Sequence, residues 1–256
     1  MPHQTFNFPT VKVVFFELKF PHLFSIENRI GNFQEKIMSD FPESKVGISR
    51  SVVFSETGPD GKLEELPNQF TRETGVKTWI FQSKENIQLE LKTNQLVLIS
   101  KEHKTYNNEG NLPRFRDYLK KIIENLFSTV KVPMLSRIGL RYIDEFPLPG
   151  QTNEVLNKYY NTTLPLVRFP LENITDLASF NTSTRRRNYN LNYRETFLKK
   201  DETLKLILDF DGFAKNVPSE NCMQIADELH EIIDEEYFNN VKEPWLEYMR
   251  TGKLDD

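Results

Sequence analysis

Cysteine is nearly missing from this chain and glycine is scarce: one Cys222 and ten Gly are spread over 256 residues. A lone thiol cannot close an intramolecular disulfide or build a thiolate-rich metal site, and such sparing use of cysteine predicts a reducing, cytoplasmic setting. The few glycines form no Gly-x-Gly-x-x-Gly and no Gly-Lys-Ser/Thr, which argues against both standard phosphate cradles. No Gly-x-Ser-x-Gly turn offers an acyl-transfer serine. The four histidines, His3, His22, His103 and His230, lie far apart, with no helical His-x-x-x-His pair and none beside Cys222. A metal centre or a nucleophile triad would need the fold to gather scattered members, so no metal and no cofactor are expected. No apolar run approaches the roughly 20 residues of a membrane span. Met1-Pro2-His3-Gln4-Thr5-Phe6 lacks the basic-then-apolar pattern of a signal peptide, so none is expected. The net charge of −4 argues against coating nucleic acid by charge alone.

What the chain does have is aromatic bulk, with 20 Phe and nine Tyr at 38% hydrophobic and 27% charged residues. This is a globular composition, and it favours broad packing surfaces. Val11–Phe20 alternates as a strand, closed by Pro21. Ile26, Ile30, Phe33, Ile37 and Phe41 then recur on one helical face, with Ser25 as expected N-cap and Pro42 as stop. A strand over Val46–Phe54 precedes an irregular segment, Ser55–Gly75, that carries Gly58-Pro59-Asp60-Gly61. Strands follow at Val76–Ser83, Ile87–Lys92 and Gln95–Ser100. After them comes a helix opened by Asn111 and Pro113, with Phe115, Leu119, Ile122, Ile123 and Leu126 inward. The second half reads as a strand Met134–Phe146, a short helix near Asn153–Tyr160, and strands near Ser179–Arg185, Arg187–Phe197 and Leu204–Phe210. A long helix after Pro218 turns Ile225, Leu229, Ile232 and Ile233 inward, with Ser219 as cap and a short aromatic tail behind it.

Two stretches match at a constant shift of 110 without gaps: Thr93/Thr203, Leu96/Leu206, Leu98/Leu208, Asn111/Asn221, Asp117/Asp227, Leu119/Leu229, Ile122/Ile232 and Ile123/Ile233. Any two Leu- and Ile-rich strand–loop–helix units match in part. The expectation is nonetheless an α+β fold of two pseudo-repeats, residues 1–130 and 131–256, each strand–helix–(three or four strands)–helix. They would form a mainly antiparallel sheet with helices packed on one face, as two domains or one continuous one. In element order this resembles the TATA-binding-protein-like and helix-grip folds, which implies nothing about activity.

Candidate chemistry is sparse. Asp209 and Asp211 would share one strand face, a pattern that can hold Mg²⁺ beside a phosphate but more often marks a strand entering a turn, here Asp211-Gly212. Asp144-Glu145 is a weaker pair of the same kind. Cys222 sits in a helix's first turn, where the dipole could lower a thiol pKa, although a packed cysteine is the commoner outcome. Arg185, Arg186 and Arg187, followed by Tyr189, Tyr193 and Arg194, form the one basic and aromatic hairpin. It is the candidate contact for nucleic acid, against the bland alternative of a solvated, cationic edge. Trp245, Leu246, Tyr248 and Met249 either dock on the protein's own core or offer an apolar patch to a partner protein or a second copy of the chain.

Several segments together resemble a known family: Val11-Lys12-Val13-Val14-Phe15-Phe16-Glu17-Leu18-Lys19-Phe20, Trp79-Ile80-Phe81 with Ile87-Gln88-Leu89, Ser136-Arg137-Ile138-Gly139-Leu140-Arg141-Tyr142-Ile143-Asp144, and the Leu229-His230 helix. The likeness is to a sporadically distributed family of uncharacterised prokaryotic proteins of this chain's length, with no established activity or catalytic residues to carry over. Patchy distribution is common among defence and toxin–antitoxin genes, and the resemblance implies a role of that kind. The functional expectation is a non-enzymatic binding or accessory protein with no membrane association, recognising a partner protein or nucleic acid. One alternative is a metal-independent endoribonuclease using His230 or His103 near the arginine hairpin. The other is a sensor that holds a small ligand between the sheet and the long helices.

Overall fold

The computed structural model describes residues 6–49, 76–107, 113–200 and 203–254. In chain order they form β1 (Val11–Lys19), α1 (Ser25–Ile37), β2 (Glu43–Ser49), β3 (Val76–Gln82), β4 (Gln88–Lys92), β5 (Gln95–Ser100) and α2 (Phe115–Thr129). Then come β6 (Met134–Leu148), α3 (Asn153–Tyr159), β7 (Leu177–Arg186), β8 (Tyr189–Lys200), β9 (Thr203–Pro218), α4 (Cys222–Asn240) and α5 (Glu243–Thr251). The fold is α+β. Its nine strands make one antiparallel sheet in the order β2-β3-β4-β5-β1-β6-β9-β8-β7, so β1 and β6 are the central pair.

Period-two alternation decides which face of the sheet is covered. One row of paired residues runs Phe81, Leu89, Leu98, Phe16, Leu140, Gly212, Leu191 across seven strands, and all of them are buried. The row ends in Ser44 on β2 and Thr184 on β7, so the core fades at both edges. The helices lie against this face: Phe33 of α1 meets Phe81 edge-on, and Trp245 of α5 stacks on Phe146 at 3.9 Å. Gly212 is what lets α4 settle on β9, since a Cβ there would stand 3.2 Å from Ile233 Cδ1. Asp211-Gly212, expected to open a turn, is therefore mid-strand: β8 pairs with β9 as far as Phe213, and β6 pairs with it on to Pro218.

The opposite face is a charged lattice. Arg137 donates to Glu17 on β1 at 2.7 Å and to both oxygens of Asp211 on β9, while its guanidinium lies 4.6 Å from the Phe213 ring. It can fold over in this way because residue 139 has no side chain; a Cβ on Gly139 would fall 2.1 Å from Arg137 Nη1.

Other boundaries also differ from the sequence reading. α1 stops at Ile37, and Phe41 reaches the core through a turn closed by its N–H to the Ile37 carbonyl at 2.9 Å. Ser25 is the first helical residue; the cap position is Phe24, with no side-chain bond. A 3-10 turn, Ser219–Asn221, leads into α4, and the aromatic tail is the helix α5, closed by Gly252 at φ 71°. The expected irregular segment Ser55–Gly75 and the opening residue Asn111 lie outside the described residues. No helix among the described residues is long and apolar enough to cross a membrane.

Candidate ligand pocket

Two carboxylates break the apolar register of the covered face. On β6 the inward residues are Ile138, Leu140, Tyr142, Asp144, Phe146 and Leu148; on β8 they are Leu191, Tyr193, Glu195 and Phe197. A carboxylate placed there must be paired, hydrogen-bonded or neutralised. Glu195, at 0% exposure, is clamped. It accepts from the Thr162 hydroxyl at 2.5 Å, the Thr163 hydroxyl at 2.9 Å, the Thr163 N–H at 3.1 Å and the Tyr193 hydroxyl at 2.7 Å. That arrangement is a structural knot tying the segment after α3 to the sheet.

Asp144 is placed differently. It is 3% exposed, and its Oδ1 accepts the hydroxyl of buried Thr10 at 2.8 Å. The Thr10 hydrogen is thereby committed, so the one hydrogen of the Tyr237 hydroxyl is shared between Thr10 Oγ1, 2.9 Å away, and Met249 Sδ at 3.2 Å. Tyr237 in turn accepts from Trp245 Nε1–H at 2.9 Å. A chain of donors from α5 through α4 and the start of β1 thus ends on this carboxylate. Burial, reinforced by the negative charge of Asp234, outweighs that chain and the more distant Lys104 and Lys12, and pushes the Asp144 carboxyl up to about 7.

Asp144 faces a cavity of about 120 Å³. The sheet supplies Val11, Tyr142 and Phe210 to its walls; α4 supplies His230, Ile233, Asp234, Tyr237 and Phe238. The segment after β5 adds Lys104 and Tyr106, and Phe6, Pro9 and Met249 close the far side, where Phe8 N–H bonds the Met249 carbonyl at 2.8 Å. A space of that size is well above what a single water needs and admits several waters or a small organic ligand.

The His230 ring stacks on Tyr106, centroids 4.5 Å apart, and its Nδ1 lies 3.4 Å from the Tyr142 hydroxyl. Tyr106 donates to Asp227 Oδ1 at 3.0 Å, and Arg116 grips both oxygens of Asp227 at 2.7 Å. Burial holds the phenols of Tyr106, Tyr142 and Tyr237 above their usual range, so all three remain neutral donors. Beyond His230 and Asp234 the cavity adjoins a wider groove of about 570 Å³ whose walls include Asp227, Glu231 and Glu235.

The residues singled out from sequence fall elsewhere. Arg185 and Arg186 end β7, and Arg187 sits in the hairpin turn with φ 52°. Arg186 pairs with Glu236 at 3.0 Å, while Arg187 pairs with Glu231 and Glu235, so those two guanidinium groups face carboxylates of α4. Tyr189 donates to Glu228 at 2.6 Å, Tyr193 is buried beside Glu195, and Arg194 donates to Asn181 on the open face. Asp209 and Asp211 do share one face, but each is gripped by a guanidinium, Arg141 and Arg137 respectively. Trp245 and Met249 belong to the core; Leu246 and Tyr248 are half-buried against it.

Cys222 is buried and its thiol is pushed up to about 12 by burial, the opposite of the lowering a helix N-terminus would give. His103 is locked: Nε2 donates to the Pro113 carbonyl at 2.9 Å, and Nδ1 accepts from Ser100 Oγ, which itself receives two backbone N–H groups. Burial lowers its pKa accordingly, so the ring is neutral and structural. His3 lies outside the described residues. Of the three described histidines, His22, His103 and His230, His230 is the one the fold brings to the pocket. Asp144, Asp234, Tyr106, Tyr142 and Tyr237 join it, and the sequence reading did not place these together. No group of three or more His, Cys, Asp or Glu able to hold a metal ion occurs among the described residues. Searches against known families, curated proteins and solved structures return no match.

Proposed function

We propose that this is a binding protein whose ligand is a small molecule held between the sheet and α4. The observation that carries the reading is Asp144: a buried carboxyl at the wall of a cavity, met by the Thr10 hydroxyl and pushed up to about 7 by burial. A purely structural carboxylate is served as Glu195 is, by enough donors to satisfy it. Pockets of this make-up, mostly aromatic with a few convergent polar groups, are the usual form of small-molecule sites. The test is a thermal-shift screen of the full chain against metabolites of all charge classes, run in parallel on Asn107→Trp, which places an indole at the mouth. A ligand selective for the native state raises the melting temperature of the wild type and not of the variant. A panel that moves neither protein refutes the reading.

A carboxyl raised to about 7 that lines the same cavity as the His230 imidazole would equally serve general acid–base chemistry, and this is the second reading. Turnover abolished by Asp144→Asn without loss of fold would favour it over simple binding.

We infer further that the backbone arose as two fused modules, residues 1–130 and 131–256. In support, each half places its first strand innermost, its last strand beside it and the others outward, β1-β5-β4-β3-β2 and β6-β9-β8-β7. The residues matched at the 110 shift also occupy like positions: Leu96 and Leu98 of β5, like Leu206 and Leu208 of β9, are buried next to the innermost strand. A chain built from two copies of residues 131–256 should fold as a monomer with a continuous sheet; open-ended polymers or no fold would count against duplication.

A further inference from the structure

We propose that β7 is a docking edge for a second copy of this chain, the two strands pairing antiparallel about a two-fold axis at Asn181. This surface is separate from the pocket, and the inference does not depend on the binding reading.

β7 ends the sheet on the side away from β2, and it pairs with β8 in one unbroken register from Leu177 to Arg186. Just before it, the Lys199 N–H donates to the Asp176 carbonyl at 2.8 Å, one step out from the Leu177–Leu198 pair. Asp176 and Lys199 are therefore a bonded pair, and bonded and non-bonded pairs alternate along an antiparallel ladder. Ala178, Phe180, Thr182 and Thr184 thus turn their peptide groups toward β8. Leu177, Ser179, Asn181, Ser183 and Arg185 turn theirs away, and all of these are exposed. Among the described residues, none outside β8 bonds to the backbone of this strand. Open edges of this kind are commonly blunted by proline, lysine or a bulge. Residues 177–184 have none of these. The strand's charges, Arg185 and Arg186, lie at its end, and Arg186 is met by Glu236 of α4 at 3.0 Å.

What selects a second copy is that the strand is complementary to itself. In a two-fold antiparallel pair, outward-bonding residues oppose outward-bonding residues, and one register engages all of them. It sets Leu177 opposite Arg185, Ser179 opposite Ser183, and Asn181 opposite its own copy. On the helix side the same register sets Asp176 opposite Arg186, Ala178 opposite Thr184 and Phe180 opposite Thr182. Asp176 is exposed, and Phe180 is half-buried in the single chain. Opposite charges, and an aromatic ring against a β-branched side chain, are favourable cross-strand pairs. Parallel in-register pairing would instead stack each arginine on its copy. Leu177, 59% exposed, gains the aliphatic stem of Arg185 as cover. The sheet then continues across the axis, with the helices of both copies on one face.

The experiment is sedimentation of the full chain from about 1 μM to about 500 μM, over which the mass should rise from that of one chain toward that of two. Asn181→Pro removes an N–H that points away from β8, so the ladder within the chain is kept. It should weaken association by at least about tenfold, with the fold checked by circular dichroism. Should that variant not fold, cysteine cross-linking decides. The Cα atoms of a bonded antiparallel pair stand about 5.5 Å apart, within disulfide reach. Asn181→Cys should therefore form a covalent dimer under mild oxidation, while Ser183→Cys, which opposes residue 179, should not. The native Cys222 is buried, so the wild type serves as the blank. A wild type that stays a single chain throughout overturns the inference. So does a dimer that survives Asn181→Pro, a cysteine at 181 that links no better than one at 183, or a species that grows past two chains, as β7 docking on β2 would produce.

Discussion

Replacing Asp144 by Asn should make the protein more stable at alkaline pH and change it little at acid pH. The reasoning begins with the carboxyl itself, whose folded-state value of about 7 stands against an ordinary 3.8. A raised acid stabilises the native state fully while both states are protonated, below about 4. It loses that contribution progressively as the pH climbs to the folded value, because the unfolded chain gives up its proton first. About three pH units at 1.36 kcal/mol each make the whole loss about 4 kcal/mol, with about 3 kcal/mol of it between pH 5 and pH 8. Asn keeps an oxygen for the Thr10 hydroxyl and has nothing to titrate. Urea unfolding of both proteins at pH 5 and pH 8 is the assay, because groups common to both cancel in the difference. The variant should gain about 3 kcal/mol on the wild type over that interval, or roughly 6–12 °C in melting temperature for a domain of this size. A stability difference that is the same at both pH values would show that Asp144 titrates as an ordinary carboxylate, and the argument from its burial would fail.

Three other substitutions test neighbouring parts of the account. Glu195→Gln turns an amide NH₂ toward a shell made of donors, the Thr162, Thr163 and Tyr193 groups, and should cost about 2–4 kcal/mol at all pH values in denaturant melts. Gly139→Ala pushes Arg137 off its bridge between Glu17 and Asp211; a loss of about 1–3 kcal/mol is expected, and a crystal structure would show the guanidinium displaced from Phe213. Trp245→Phe retains an aromatic ring against Phe146 but removes the N–H that begins the donor chain to Asp144. It should destabilise by about 1–2 kcal/mol and also raise the Asp144 pKa, read by carbon NMR of the side-chain carboxyl; an unmoved titration would break the chain's link to the pocket.

Strand and helix content was largely legible because burial in this protein follows period. Phe33 and Ile37 on α1, Leu119, Ile122 and Ile123 on α2, and Leu229, Ile232 and Ile233 on α4 are all inward, as their spacing predicted. Boundaries were less legible where tertiary pairing overrode a local signal. Asp211-Gly212 reads as a turn on its own, yet β9 is held on both sides by strands, and the missing side chain at 212 accommodates α4. Pro42 reads as the helix stop, but the helix had already ended at Ile37, with Phe41 reaching the core from the following turn. The arginine hairpin illustrates the same limit for charge: its basic run was plain, but the acids that answer it lie more than forty residues on, along α4.

The pocket did leave a trace in the sequence, though a faint one. A strand that alternates Ile138, Leu140, Tyr142, then Asp144, then Phe146 and Leu148 places one acid where every neighbour on its face is apolar. Position by position, that is more informative than the adjacent pair Asp144-Glu145 read as a possible metal ligand set. The same rule applied to β8 would have marked Glu195 as well, so it finds buried carboxylates without sorting them. What sorts them is the number of donors that meet each one. Those donors, Thr162 and Thr163 on one side and Thr10 alone on the other, come from segments distant in sequence. Pattern reading can thus name two acids whose burial must be explained, and only the tertiary structure distinguishes the one already satisfied from the one that faces a cavity.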